Sequence, residues 1–224
     1  GSVNIPDYDM PLQLAGGENN AWTNNDITNY YLTVPRQNVE TGFWLESDRM
    51  LSLDFSERSL EVQRGVVMEE FKQRCLNQPY GDIGHLLRPL AYQTHPYQWP
   101  TIGKELSHIA NATLEEVKAF FFRFYAPNNA ILAVTGNISF EEAVALTEKW
   151  FGSIPRREVP QRNLPQEQEQ TEEQRLTVER NVPLDSLFMA YHMPAHCHPD
   201  YYAFDILSDV LSNGRSSRLN QRLV

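Results

Sequence analysis

Gly16-Gly17-Glu18-Asn19-Asn20-Ala21-Trp22-Thr23, running into Asp26-Ile27-Thr28-Asn29-Tyr30-Tyr31-Leu32, is the stretch on which the fold turns. A glycine pair leads into polar turn residues. A β-rich run follows, in which Tyr30, Leu32 and Val34 alternate with Tyr31 and Thr33. That period of two predicts a strand with one buried face, entered through a flexible corner.

Downstream of Pro35 the spacing turns helical. Phe43-Trp44-Leu45 to Met50-Leu51 predicts one helix, and Ser59 through Cys75 a longer one with Leu60, Val67 and Phe71 on one stripe. Asn77, Pro79 and Gly81 break it; Ile83 to Leu87 begins a short helix, and Tyr92 to Gly103 reads as a loop. Thr113-Leu114-Glu115-Glu116 is a capping box ahead of a wide apolar face of Leu114, Val117, Phe120, Phe121 and Phe124. Ala130 to Val134 predicts a short buried strand, and Ser139 with Glu142 repeats the cap before a helix through Phe151. Pro155 to Gln174 is rich in Pro, Gln, Glu and Arg and reads as a connector. Leu176 to Val178 and Ser186 to Tyr191 then predict strands. A helix is expected from Asp200, and a further one opens at Ser216-Ser217-Arg218-Leu219.

The 224 residues suffice for one large or two modest domains. A hydrophobic fraction of 41% and a charged fraction of 21% are ordinary for a soluble globular protein. With 19 basic against 29 acidic residues the formal charge is −10, which argues against nucleic acid or an anionic membrane as the main partner. No apolar run is long enough to span a bilayer and no signal-peptide pattern opens the chain. A bacterial periplasmic setting stays open, because nothing in the sequence fixes a compartment. Cys75 and Cys197 form no CxxC pair, and Cys75 reads as a small buried apolar residue.

Gly16-Gly17 with Asn20-Ala21 and Thr23, Gln63-Arg64 with Glu70, Tyr125-Ala126-Pro127-Asn128-Asn129, Val134-Thr135-Gly136-Asn137, and Ser216-Ser217-Arg218-Leu219 follow one another along the chain. This ordered set resembles the inverted-zincin metallopeptidases of the M16 family, which holds insulinase, pitrilysin and the mitochondrial processing peptidase. The resemblance implies an α+β fold, a mixed or antiparallel sheet with helices packed on it (the LuxS/MPP-like metallohydrolase repeat), truncated at both ends. Residues 1–155 would be a first repeat lacking its N-terminal strands and metal helix, 156–174 a linker, and 175–224 the start of a second repeat.

The implied function is part of a zinc-dependent endopeptidase that cleaves extended peptides by metal-activated water. In this family a His-x-x-Glu-His helix supplies two ligands and the general base. The chain holds no such motif, so its catalytic residues are expected upstream of Gly1 and the 224 residues are expected to be inactive alone. Glu70 is the implied zinc ligand, seven residues or nearly two turns after Gln63, which replaces the family's first glutamate. Glu69 is rotated away. The competing reading of both glutamates is a solvated helix edge. The strand Asn20, Ala21, Trp22 and Thr23 is implied to hold substrate through main-chain hydrogen bonds, against a structural edge strand with Trp22 in the core. The implied partners are a peptide or unfolded polypeptide and a second M16 half or subunit. The alternative is a non-catalytic half that binds or scaffolds substrate; a third reading is a peptide-binding module without protease chemistry.

Other candidates read as structural. His192, His196, Cys197 and His198 straddle a strand end and a proline-flanked loop without ligand spacing. His95-Pro96-Tyr97 resembles a family loop. The sequons at Asn111 and Asn137 each double as a helix cap, and the cap is favoured.

Overall fold

Gly16 and Gly17 are required by the turn they make. Helix α1 (Asp9–Leu14) ends at Ala15, and the chain reverses through Gly16 at φ +72°, a left-handed conformation that costs glycine nothing. Gly17 then passes against Leu12, Val34 and the Thr33 carbonyl with no room for a side chain. The chain emerges as strand β1 (Glu18–Thr23), turns, and returns as β2 (Thr28–Thr33). The two pair antiparallel, Glu18 opposite Thr33 and Thr23 opposite Thr28. The strand expected around Tyr30 is therefore present, and so is the strand that the resemblance implies at Asn20 to Thr23, where the polar residues alone suggest a turn.

In this computed structural model residues 8–223 are described, and the chain divides into two units, residues 1–170 and 171–224. In the first, α2 (Val39–Leu51) lies against α1 and against α7 (Phe140–Phe151). Gly42 lets α2 approach β2, since a Cβ there would sit 2.8 Å from Leu32 Cδ1. Helix α3 (Glu57–Phe71) is capped by Ser56, whose hydroxyl accepts from the Ser59 amide, and packs on α5 (Leu106–Ala110). It continues into a wide π turn, Lys72–Leu76, so the helix expected through Cys75 loosens in its last residues. Helix α4 (Ile83–Ala91) leads to the aromatic loop, and α6 (Leu114–Phe124) carries the full reciprocal capping box. The core gathers Leu12, Phe43, Leu45, Phe71, Phe121 and Ile154. Cys75 is buried as expected. The second unit holds α8 (Tyr201–Ser212) and α9 (Arg218–Leu223) after a segment without helix or strand.

The buried strand expected at Ala130 to Val134 is not formed. Among the described residues no strand pairs with the segment, and Ile131 is 98% exposed. Leu176 to Val178 and Ser186 to Tyr191 behave alike: outside any ladder and open to water. A strand's burial comes from its neighbours on the sheet and the layer behind it, which a run of aliphatic residues does not supply by itself. For the same reason Phe120 on α6 and Ile206 on α8 are exposed although their helices show the expected apolar stripes.

The connector does not hang free. Arg157 exchanges hydrogen bonds with Asn128 on both sides of its backbone (Arg157 N to Oδ1, 3.1 Å; Asn128 Nδ2 to Arg157 O, 2.9 Å). Its guanidinium donates to the Tyr125 carbonyl and lies over the rings of Phe121 and Phe122. Arg162 pairs with Asp26, and Glu167 with the loop after α4.

Candidate functional site

The β1–β2 hairpin places Asn20, Ala21, Trp22 and Thr23 side by side on one strand. All six residues of β1 are exposed, and β1 pairs only with β2 among the described residues. Trp22 is half in water, which removes the reading that it fills the core. The Ala21 amide donates to the Asn20 side-chain carbonyl at 2.8 Å. Asn24 shapes the turn: its side chain accepts from the amides of Asp26 and Ile27. Thr23 and Thr28 meet through their hydroxyls at 3.2 Å.

The hairpin is braced from behind and at its tip. Tyr30 and Tyr125 share a hydrogen bond between hydroxyls, and the Arg49 guanidinium lies 4.4 Å from the ring centroids of both Tyr8 and Tyr30. Burial, then the hydrogen bond to Glu46, pushes the Tyr8 hydroxyl up to about 12; burial and Tyr30 likewise raise Tyr125. Burial opposes the Arg49 charge, but Glu46 and Tyr8 outweigh it and hold the guanidinium firmly protonated. At the tip, Tyr97 donates to Asp26 at 2.6 Å and Arg88 reaches Asn25. Sequence reading gave Arg49, Asp26, Arg88 and Tyr97 no bracing role; the contacts Arg49–Tyr30, Arg88–Asn25 and Tyr97–Asp26 join residues distant in the chain, and no spacing marks them.

Glu70 sits near the C-terminal end of α3, two residues before the π turn begins at Lys72, and its side chain is 39% exposed. Its carboxylate pairs with Arg74 at 2.9 Å, and Glu69 pairs more loosely with Lys72 at 3.7 Å. Gln63 is exposed. Upstream on the same helix, Arg64 bonds the Ala112 carbonyl and ties α3 to the loop before α6. A catalytic zinc takes three protein ligands and leaves one position open. Among the described residues no three His, Cys, Asp or Glu side chains gather to hold a metal. The residues present therefore do not fit a resident zinc on their own. The His192, His196, Cys197 and His198 segment assembles no ligand set either; His198 accepts from the Asp200 amide, and His196 packs on Tyr201. His95 is structural, its Nδ1 accepting from the Tyr97 amide. Among the described residues no helix is long and apolar enough to cross a membrane.

Residues 111–224, half of the chain, match the family model described as the Peptidase M16 inactive domain. The chain belongs to the M16 peptidase family. It is 31% identical over 97% of its length to the zinc protease PqqE of Helicobacter pylori, covering 50% of that protein. The crystal structure of a protease from Helicobacter pylori superposes with a TM-score of 0.86 at 31% identity, over 97% of this chain and 53% of that one. The first half of the periplasmic protease PqqL from Escherichia coli shares the fold, with a TM-score of 0.58 at 23% identity over 66% of this chain and 32% of its own. This M16 chain thus spans about half the length of the curated relatives it matches. Its helix-rich α+β architecture agrees with the fold expected from the motifs.

Proposed function

We propose that this chain is part of a zinc-dependent M16 endopeptidase acting on extended peptides, and that the 224 residues alone do not hydrolyse them. The observation that carries this reading is β1, exposed along its whole length and paired through one edge, where a peptide can add as a further strand. Asn20, Ala21, Trp22 and Thr23 are its substrate-binding residues. Glu70 is one metal ligand; the other ligands and the general-base glutamate come from polypeptide outside these residues. Residues 1–155 and 175–224 are pieces of two successive repeats joined by the connector. Exposed Ile131, Leu187 and Tyr191 support a second half or subunit that covers them in the working protein. The likeness to a protein described as periplasmic supports an envelope setting.

In the whole protein Glu70→Gln is expected to lower bound zinc and peptidase activity together while far-ultraviolet circular dichroism stays unchanged. Full zinc occupancy in the variant removes Glu70 from the metal site. A second reading, a non-catalytic half that holds substrate for an active mate, is favoured by the inactive-domain match and by the missing ligand set. It predicts peptide binding with no chelator-sensitive turnover by the whole protein.

A further inference from the structure

The loop after α4 presents three successive backbone amides to one anion. Gln93 N donates to Glu167 Oε1 at 2.9 Å, and Thr94 N and His95 N donate to Oε2 at 2.9 and 2.8 Å. The Thr94 hydroxyl adds a fourth bond to Oε2 at 3.2 Å, and also reaches the Gln166 carbonyl. Consecutive N–H groups turned toward one point form a concave anion site, and bonds to an ionised acceptor are the strong ones. The ligand comes from more than 70 residues further along, so no local turn rule forces the contact.

The shape of this loop is held by groups other than Glu167. His95 Nδ1 accepts from the Tyr97 amide at 3.2 Å, and the Tyr97 carbonyl accepts from Arg88 at the same distance. The rings of Tyr92, His95 and Tyr97 pack on one another with centroids 4.2–6.0 Å apart. The Tyr97 hydroxyl bonds Asp26 at the hairpin tip. A receptor braced in this way is organised before its ligand arrives, which lowers the ordering cost of binding.

We propose that the amides of Gln93, Thr94 and His95 form a carboxylate-binding site, and that Glu167 is its intramolecular ligand, latching residues 156–170 onto the rest of the first unit. Arg162 with Asp26 and Arg157 with Asn128 are further fastenings of the same strap. The latch gives a Pro- and Gln-rich segment with few apolar anchors a defined path, and fixes where the chain leaves the first unit. It stands apart from the peptidase reading, since it uses neither Glu70 nor the β1 edge.

The test is hydrogen exchange on the whole protein, read on peptides covering residues 92–98 and 156–170. Glu167→Ala is expected to speed exchange in both segments by on the order of tenfold, with α6 and α7 unchanged. Added acetate is expected to restore protection at 92–98 but not at 156–170, because it fills the site without carrying the strap. Acetamide, and chloride at equal ionic strength, are expected to restore nothing. Unchanged exchange in the variant overturns the latch; rescue by chloride as good as by acetate overturns the carboxylate assignment. Should Glu167→Ala unfold globally, Glu167→Gln keeps the shape with a weaker neutral acceptor. Loosening confined to the same two segments then supports the latch, and wild-type protection overturns it.

Discussion

A methyl group added at Gly17 would lie 2.6 Å from both Leu12 Cδ1 and Val34 Cγ1, and 2.9 Å from the Thr33 carbonyl oxygen. Leu12 is almost wholly buried and the carbonyl belongs to β2, so neither can swing aside. Gly65, on the exposed face of α3, has nothing within 4 Å. The two glycines therefore respond in opposite directions. Gly17→Ala is expected to destabilise by about 1–3 kcal/mol through overpacking. Gly65→Ala is expected to stabilise by about 0.5–1 kcal/mol through helix propensity. Urea midpoints moving the same way for both would refute the assigned packing. The first of these glycines was legible in sequence, because a Gly-Gly pair ahead of alternating residues marks a corner. Glu167 was not. Its partners are backbone amides, which every residue but proline carries, so nothing in Gln93-Thr94-His95 announces a receptor. Glu70 stands between the two: a motif picks it out, yet what surrounds it here is Arg74.

At the scale of elements, caps were the most readable signal. Thr113 accepts from the Glu116 amide while Glu116 accepts from the Thr113 amide at 2.8 Å, both ends of the expected box. The amide and hydroxyl of Thr113 also hold the Glu116 carboxyl below its ordinary value. Thr113→Ala is expected to cost about 1 kcal/mol, seen as a lower urea midpoint at an unchanged slope. Thr113→Asn should recover most of that loss, and failure to do so would mean that the cap is not the cause. Such a box works within four residues, which is why four residues of sequence suffice to find it. Strands depend on distant neighbours. Ile131 to Val134 has the composition of a central strand, and Asn20 to Thr23 has that of a turn. The structure gives the second a ladder and the first none, because β2 lies beside one and no described strand beside the other. Helices α1 and α5 went unpredicted, being six and five residues long with too few turns to show a period.

For the molecule as a whole, a charge of −10 makes acid the revealing perturbation, because the carboxylates that face donors differ from those that face water. Glu167 is the extreme case: the amides of His95, Gln93 and Thr94 hold its carboxyl down to about 2, from an ordinary 4.5. The sign follows from linkage. A carboxyl bound more weakly to protons in the folded state contributes its full stabilisation above 4.5. That contribution fades as pH falls toward 2. The strap over residues 156–170 is accordingly expected to stay docked at pH 4, where an ordinary exposed glutamate is already largely protonated. The measurement is a difference between two proteins that share every other ionisable group. Amide chemical shifts of Gln93, Thr94 and His95 are followed from pH 6 to about 1 in the wild type and in Glu167→Gln. The wild type should show a transition with its midpoint near 2 that the variant lacks. A midpoint near 4.5, or identical curves in the two proteins, would mean that the carboxylate and the three amides are not joined in solution.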